Sequence, residues 1–138
     1  MKPKTISKVL SSNDTGGTGG HQAGILIPKG GDVLEFFPDL NSDEKNPRTY
    51  LYFIDEGGQR WKFNFIYYNN KLFGGTRNEY RLTGMTAYIR QNNLKTGDSV
   101  ILSRDDNGVL SIRCERQRTV VSSTPKLVIS GTWKVINY

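Results

Sequence analysis

Two apolar runs separated by a four-residue break constrain the fold of this chain more than any other feature of its sequence. The runs cover residues 48–54 and 59–68 and are rich in β-branched and aromatic residues, with Asp55-Glu56-Gly57-Gly58 between them. Runs of this composition form strands, and a short glycine-containing break joins two strands into a hairpin. Within the second run, alternate positions are aromatic: Trp61, Phe63 and Phe65. That period of two predicts one strand face in the core, which at this spacing is more common than a base-stacking platform.

Other short segments of the chain have the same strand character. They are residues 5–10, 23–28, 99–103, 109–114, 127–129 and 133–136. The Asn107-Gly108 pair predicts a tight primed turn between two of them. Residues 32–37 and 85–93 predict short helices, the first with Asp32 as its cap. No strand-helix-strand repeat is present, so the pattern predicts a mainly β fold, a closed or nearly closed antiparallel barrel of about seven strands with two short helices at its ends.

The chain of 138 residues has ordinary single-domain size, and we expect one domain over residues 1–138. Its 19 lysines and arginines outnumber 13 aspartates and glutamates, and the net charge of +6 favours a polyanionic partner. We find no basic amphipathic helix of useful length, which disfavours a membrane surface as that partner. No apolar signal-peptide core follows the basic N-terminus and no run approaches a membrane span, so we expect a soluble, intracellular protein.

Cysteine and histidine usage excludes two kinds of site. Cys114 is the only cysteine and His21 the only histidine, so neither an intrachain disulfide nor a His/Cys zinc site can form. Residues 38–45 contain Pro-Asp followed by Asp-Glu-Lys, which superficially resembles a nuclease signature. The two acids of such a site must converge from adjacent strands, and the gap of three residues in one loop cannot supply those strands. We therefore predict no catalytic residues, no metal site and no cofactor for this chain.

The stretch from Tyr67 to Leu82 has the features of a nucleic-acid contact. After a glycine pair, Arg77, Glu79 and Arg81 occupy alternate positions. In a strand they would share one face and lie roughly 6.6 Å apart, about two base steps of a duplex. Arginine can fork onto guanine O6 and N7, and glutamate can accept from the N4 amino group of cytosine, so the pattern fits a G/C-rich site. It equally fits a surface charge ladder, and the pattern does not separate the two.

A second stretch of this kind is the loop at residues 11–22. It contains four glycines and no aliphatic residue, which predicts an exposed loop. Glycine lets backbone amides approach phosphates closely, and the loop also carries hydrogen-bonding side chains: Asn13, Asp14, His21 and Gln22. A flexible linker is the common alternative for such a composition, and a lone histidine is more often structural than functional. No Gly-Lys-Ser/Thr follows, so the loop is not a nucleotide-binding P-loop.

Three blocks of the sequence resemble known families. Residues 12–28 and 67–83 resemble the N-terminal effector-binding domain of the restriction endonuclease EcoRII and its relatives. Residues 85–100 resemble the helix and Leu-Lys-x-Gly-Asp turn of plant B-three transcription-factor domains, which share that family's DNA-binding pseudobarrel fold. The resemblance implies a wrench-like pseudobarrel with two arms that enter the major groove from either side, here a first arm at 8–22 and a second arm at 68–81.

The resemblance also implies which side chains contact DNA. The family's base-contacting histidine matches His21, its first-arm lysine matches Lys8, and its Arg-Asn-Glu-x-Arg reading strand matches residues 77–81. With other polar residues of the arms, the predicted DNA-binding set is Lys8, Asn13, Asp14, His21, Gln22, Tyr68, Asn69, Lys71, Thr76, Arg77, Asn78, Glu79, Tyr80 and Arg81. Departures from the family pattern remove phosphate-type contacts at Gly75, Tyr80 and Leu26. Because the base-reading residues are present, the implied site is similar to CC(A/T)GG, or CCWGG.

In the family that the chain resembles, cleavage belongs to a separate C-terminal domain, which implies that this chain is a recognition module. We expect it to bind double-stranded DNA as a monomer, as the effector or targeting domain of a type II restriction endonuclease in the prokaryotic cytoplasm. Mg²⁺ is expected for the nuclease domain of the parent protein and not for this domain. Three alternatives stay open: a stand-alone transcriptional regulator of the same fold, a nucleic-acid hydrolase, and a binder of single strands or RNA.

Overall fold

The computed structural model describes residues 3–12, 14–15, 24–117 and 133–136. Within these ranges the chain is mainly β and contains eight strands: β1 Lys4–Val9, β2 Ile25–Ile27, β3 Arg48–Ile54, β4 Arg60–Tyr68, β5 Glu79–Thr83, β6 Ser99–Arg104, β7 Leu110–Glu115 and β8 Trp133–Ile136. One α-helix, α1, covers Thr86–Gln91, and 3-10 turns cover Leu34–Phe36 and Asn70–Phe73. No helix in this part of the chain is long and apolar enough to cross a membrane.

All eight strands belong to one sheet, in the order β2-β5-β4-β3-β7-β6-β1-β8. Neighbouring strands run antiparallel except β3 and β7, which pair in parallel at Phe53 and Leu110. The sheet curls until its two edge strands meet, where the indole N–H of Trp133 in β8 donates to the carbonyl oxygen of Leu26 in β2 at 2.8 Å. The mainly β pseudobarrel is therefore confirmed, with eight strands instead of about seven. The strand predicted at 127–129 lies outside the described residues.

The predicted hairpin at 48–68 supplies the centre of the core. Its strands pair antiparallel as expected, and its alternate aromatic residues are all buried: Trp61, Phe63 and Phe65. Their interpretation as core residues is confirmed. Ile66, on the opposite face, is buried as well, although the period of two predicts only one face of this strand in the core. It lies in register between Arg48 of β3 and Arg81 of β5, and the stems of such long side chains can cover apolar surface.

The two predicted helices differ in outcome. The second is confirmed as α1, which buries Tyr88 and Ile89. The first is a single 3-10 turn at 34–36, and Asp32 is not its cap. Pro38 explains the short length, because the residue before a proline is driven out of the helical region, and Phe37 is indeed extended. Its ring is buried and stacks on Phe65 of β4 at 4.6 Å between ring centroids, so the turn still packs into the barrel.

The turn between β6 and β7 is not the primed turn that Asn107-Gly108 predicts, since Asn107 lacks the positive φ which that turn requires. Instead the carboxylate of Asp105 accepts the N–H groups of Asn107 and Val109, at 2.9 and 2.8 Å. An aspartate at the start of a loop commonly competes for backbone donors in this way. Asp55 makes the equivalent two bonds in the turn between β3 and β4.

Candidate nucleic-acid interface

The second arm has a fixed backbone. The N–H of Lys71 donates to the carbonyl oxygen of Arg77 at 2.9 Å, and the N–H of Arg77 donates to the side-chain oxygen of Asn70 at 2.6 Å. Gly75 closes the tip by donating to the carbonyl oxygen of Asn70 at 2.7 Å. A Cβ atom at Gly75 would lie 2.8 Å from the Asn70 side chain, so this close approach needs glycine. The arm is therefore a folded loop with a defined shape.

Asn69 fastens this arm to the barrel. Its side chain is fully buried, its oxygen accepts the N–H of Asn46 at 2.6 Å, and its amide nitrogen donates to the carbonyl oxygens of Ser42 and Glu44 at 3.1 and 2.7 Å. The sequence-based prediction of a DNA contact here is corrected, because a buried side chain whose polar atoms are engaged internally has none to offer DNA. Asn69 positions the arm instead.

Glu79 lies between two arginines on the outer face of the second arm. Arg77 holds one carboxylate oxygen through Nε and Nη2, both at 2.9 Å, and Arg81 holds the other through the same two atoms at 3.1 and 2.9 Å. The Arg77 guanidinium also lies over the ring of Tyr68, 3.7 Å from its centroid. The three alternating residues thus share one face, as predicted, and their charges pair with one another.

The charge state of this triplet follows from its geometry. Partial burial raises the pKa of Glu79, but the hydrogen bonds and positive charges of Arg77 and Arg81 outweigh that effect and hold the pKa below its ordinary value. Glu79 is therefore an ionised acceptor at neutral pH. The side chain of Arg77 is 39% exposed and that of Arg81 is 16% exposed, so Arg77 is the more accessible donor.

Two further residues of the predicted set support the arm from its inner face. The ring of Tyr80 stacks on Tyr67 at 4.2 Å and on Phe65 at 5.7 Å, and it packs against the core. The hydroxyl of Tyr67 donates to the side-chain oxygen of Asn78 at 2.7 Å. Burial and the neighbouring Tyr67 raise the pKa of Tyr80, which keeps its hydroxyl neutral. Lys71 and Thr76, by contrast, are exposed.

The base of the first arm contains a buried ion pair. The ammonium of Lys8 lies 3.0 Å from a carboxylate oxygen of Asp14, and both residues are buried. The same oxygen accepts the N–H of Ser11 at 3.0 Å, and the Asp14 N–H donates back to the Ser11 hydroxyl at 3.2 Å. Lys8 and Asp14 therefore contact each other at the start of the arm. The other predicted first-arm residues lie outside the described residues: Asn13, His21 and Gln22.

The two arms share an open cleft beside the edge strands. Its volume is about 500 Å³, and its lining is Lys8, Ser11, Asp14, Leu26, Pro28, Arg81 and Trp133. Arg81 also donates to the carbonyl oxygen of Gly24 at 3.0 Å, which ties the second arm to the segment that follows the first. Gly24 has a φ of +87°, and a Cβ there would lie 2.6 Å from the carbonyl oxygen of Leu82, so only glycine fits this crossing.

Sequence reasoning missed two parts of this surface. Leu72 and Phe73, at the tip of the second arm, are 65% and 46% exposed. Two apolar residues between Lys71 and a glycine pair were the available signal, since a loop cannot bury them locally. On the outer face of β3 and β4, Lys62 lies over the ring of exposed Tyr50 at 4.1 Å, a pairing that the strand register could have indicated.

A mainly β pseudobarrel with two loops beside one cleft defines a fold class that is known from a solved structure titled "Arabidopsis FUS3-DNA complex". The match covers 81% of this chain and 96% of that one, with a TM-score of 0.62 and 19% identity, and it shows the fold. The family is shown by a match over residues 3–116 to "Restriction endonuclease EcoRII, N-terminal". The chain belongs to this family.

Individual proteins match as well. The chain is 46% identical to the type II restriction enzyme EcoRII of Escherichia coli over 79 residues, which are 55% of this chain and 19% of that enzyme. It is 29% identical to auxin response factor 12 of Arabidopsis thaliana over 127 residues, which are 91% of this chain and 20% of that protein. The chain thus spans about a fifth of the length of these relatives.

Proposed function

We propose that this domain recognises duplex DNA by sequence, as the effector or targeting module of a type II restriction endonuclease. In this proposal its two arms enter the major groove of a G/C-rich site such as CCWGG. The observation that carries it is the Arg77-Glu79-Arg81 triplet, which lies on the outer face of an arm whose backbone is fixed. Membership in the EcoRII N-terminal family and the fold shared with a protein solved as a DNA complex support it.

The triplet suggests how the bases would be read. Arg77 is held on Glu79 through Nε and Nη2 and stacked on Tyr68, which leaves the edge formed by Nη1 and Nη2 directed away from the carboxylate. That edge can fork onto O6 and N7 of guanine. Glu79 can accept from the N4 amino group of a cytosine if one arginine bond yields. Holding the guanidinium in place before binding lowers the entropy lost on forming the complex.

Phosphate contacts would supply the part of the affinity that depends on salt. Lys71 and Thr76 are exposed on the second arm and can donate to phosphate oxygens, and the amides of the glycine-rich first arm would do the same. His21, Asn13 and Gln22 remain proposed contacts of that arm. Lys8 and Asp14 are buried against each other, so we propose that they set the position of the first arm and contact DNA less directly.

Replacement of Arg77 tests the proposal. We expect Arg77→Ala to lose about 1–3 kcal/mol of preference for the specific duplex, since one bidentate base contact disappears. Competition binding between a CCWGG duplex and a scrambled duplex measures this preference. Arg113→Ala is the matched control, because Arg113 is also 39% exposed and pairs with a carboxylate two residues away, but on β7. If Arg77→Ala and Arg113→Ala prefer the CCWGG duplex over the scrambled duplex to the same extent, Arg77 is not a base-reading residue.

A stand-alone transcriptional regulator is the second candidate, and the match to auxin response factor 12 over 91% of the chain favours it. The coding sequence that surrounds residues 1–138 decides between the two. A nuclease domain in the same polypeptide supports the first proposal, with Mg²⁺ bound by that domain. We further propose that this domain itself is not catalytic, acts as a monomer and works in the prokaryotic cytoplasm, so the isolated chain with Mg²⁺ should leave plasmid DNA uncut.

A further inference from the structure

Leu72 and Phe73 form an exposed apolar tip on the second arm. They are 65% and 46% exposed and lie side by side on the 3-10 turn Asn70–Phe73. Contiguous exposed apolar side chains mark interaction sites more often than single ones do. The second arm, residues 68–81, contains three cationic side chains and one acidic one. That charge favours an anionic partner over a typical protein surface.

The tip is held in its exposed position. The N–H of Leu72 donates to the carbonyl oxygen of Asn69 at 2.9 Å, and Asn69 is itself buried and bonded to the loop at 42–46. The neighbouring Lys71 N–H bonds to the carbonyl oxygen of Arg77 at 2.9 Å, so the apolar tip and the arginine have a fixed separation. The loop therefore presents the two side chains and does not expose them through disorder of its backbone.

We propose that Leu72 and Phe73 contact the C5-methyl group of thymine in the major groove. This inference rests on the proposed function and extends it from guanine and cytosine to an A·T pair. The thymine methyl is the apolar group that a base pair offers at the major-groove edge, and aliphatic or aromatic side chains recognise it. Because the backbone of Lys71 is bonded to that of Arg77, the tip and the arginine belong to one folded loop, and we expect the tip to reach a base pair near the one that Arg77 reads.

Replacement of thymine by deoxyuridine, which lacks only this methyl group, tests the contact directly. Each thymine in the CCWGG duplex and its flanks is replaced singly, and the Kd of the wild-type domain is measured by titration. We expect a loss of roughly fourfold at one or two positions, the effect of leaving one methyl-sized group unburied. At the same positions, deoxyuridine should weaken DNA binding by the Leu72→Ala and Phe73→Ala variants less than twofold. Each variant already lacks a side chain that would contact the methyl group.

Val109→Ala is the matched control, since Val109 is 47% exposed but lies in the turn between β6 and β7. It should keep the full sensitivity to deoxyuridine, and thermal unfolding verifies that all variants are folded. The inference is overturned if deoxyuridine costs the wild type nothing at every position, or if both tip variants remain as sensitive as the wild type. In either case, the proposed function itself still holds if Arg77→Ala binds the specific duplex with a higher Kd than the wild type does.

Discussion

At the scale of single residues, Glu79 organises the interface through charge. A carboxylate that accepts both arginines fixes two guanidinium groups on one face of the second arm, each through two atoms. Isolated surface pairs contribute little because they are screened and lose side-chain entropy. Here one acceptor orders two long side chains, and stacking on Tyr68 orders Arg77 further. Glu79 therefore positions both arginines, and in the proposed DNA complex it would also serve as a base acceptor.

The electrostatic role of Glu79 predicts a dependence of stability on pH. Its pKa in the folded protein lies below the ordinary value of 4.5, so the stabilisation is complete above pH 4.5 and is lost as the pH falls through the lower folded value. We expect the wild type to unfold at higher urea concentration than Glu79→Gln at pH 7, with the difference shrinking below pH 4.5. Urea unfolding of both proteins from pH 7 to pH 3 measures it. A constant difference across this range would show that the carboxylate charge is not responsible.

At the scale of elements, hydrogen bonds between backbone groups and the side chains of asparagine and aspartate define three of the loops. Asp55 and Asp105 begin the turns of the two hairpins, and Asn69 joins the second arm to the segment at 42–46. The indole N–H of Trp61 also donates to Asp55 at 2.9 Å. This bond is the main reason why the pKa of Asp55 lies below its ordinary value. Short polar side chains thus bind backbone groups in each of these three loops.

Removal of the Asn69 side chain tests this account of the second arm. Asn69→Ala leaves the N–H of Asn46 and the carbonyl oxygens of Ser42 and Glu44 without their partner, and such a group costs about 1–3 kcal/mol where water cannot replace that partner. We expect a clear fall in the thermal unfolding midpoint together with weaker DNA binding. Asn41→Ala is the control, because Asn41 is exposed and accepts a single bond from the Asp43 N–H. An equal, small effect of both substitutions would contradict the positioning role of Asn69.

At the scale of the whole molecule, the meeting of the sheet edges brings the two arms together. Sheet edges carry unpaired backbone groups, and β2 has only three residues with which to close the barrel. The bond from Trp133 to Leu26 spans this gap, and Arg81 bonds to Gly24 nearby. The cleft between the arms depends on this closure, since strands far apart in the sequence supply its walls.

Trp133→Phe tests the closure because it keeps an aromatic ring and removes the N–H. We expect a loss of about 0.5–1.5 kcal/mol in the free energy of unfolding, the usual value of one hydrogen bond. The backbone amides of β2 should also exchange faster with solvent, which hydrogen exchange detects. Unchanged exchange in β2 would indicate that the pairing of β2 with β5 holds this edge by itself.

The sequence by itself determined the strands, the hairpins and the aromatic core face, because alternation and turn composition act over neighbouring residues. The face shared by Arg77, Glu79 and Arg81 followed from the same period of two. Other contacts join residues that are far apart in the sequence, so local patterns did not predict them. Phe53 pairs with Leu110, and Trp133 with Leu26, although no local pattern links these positions.

The tertiary structure alone decided which polar residues of the arms are buried. Lys8, Asp14 and Asn69 have the composition of surface contacts, yet the curled sheet encloses them and provides their partners. Leu72 and Phe73 show the reverse, since the fixed arm holds apolar side chains in water. Burial depends on what the rest of the chain places next to a residue, so it follows from the three-dimensional arrangement and not from residue type.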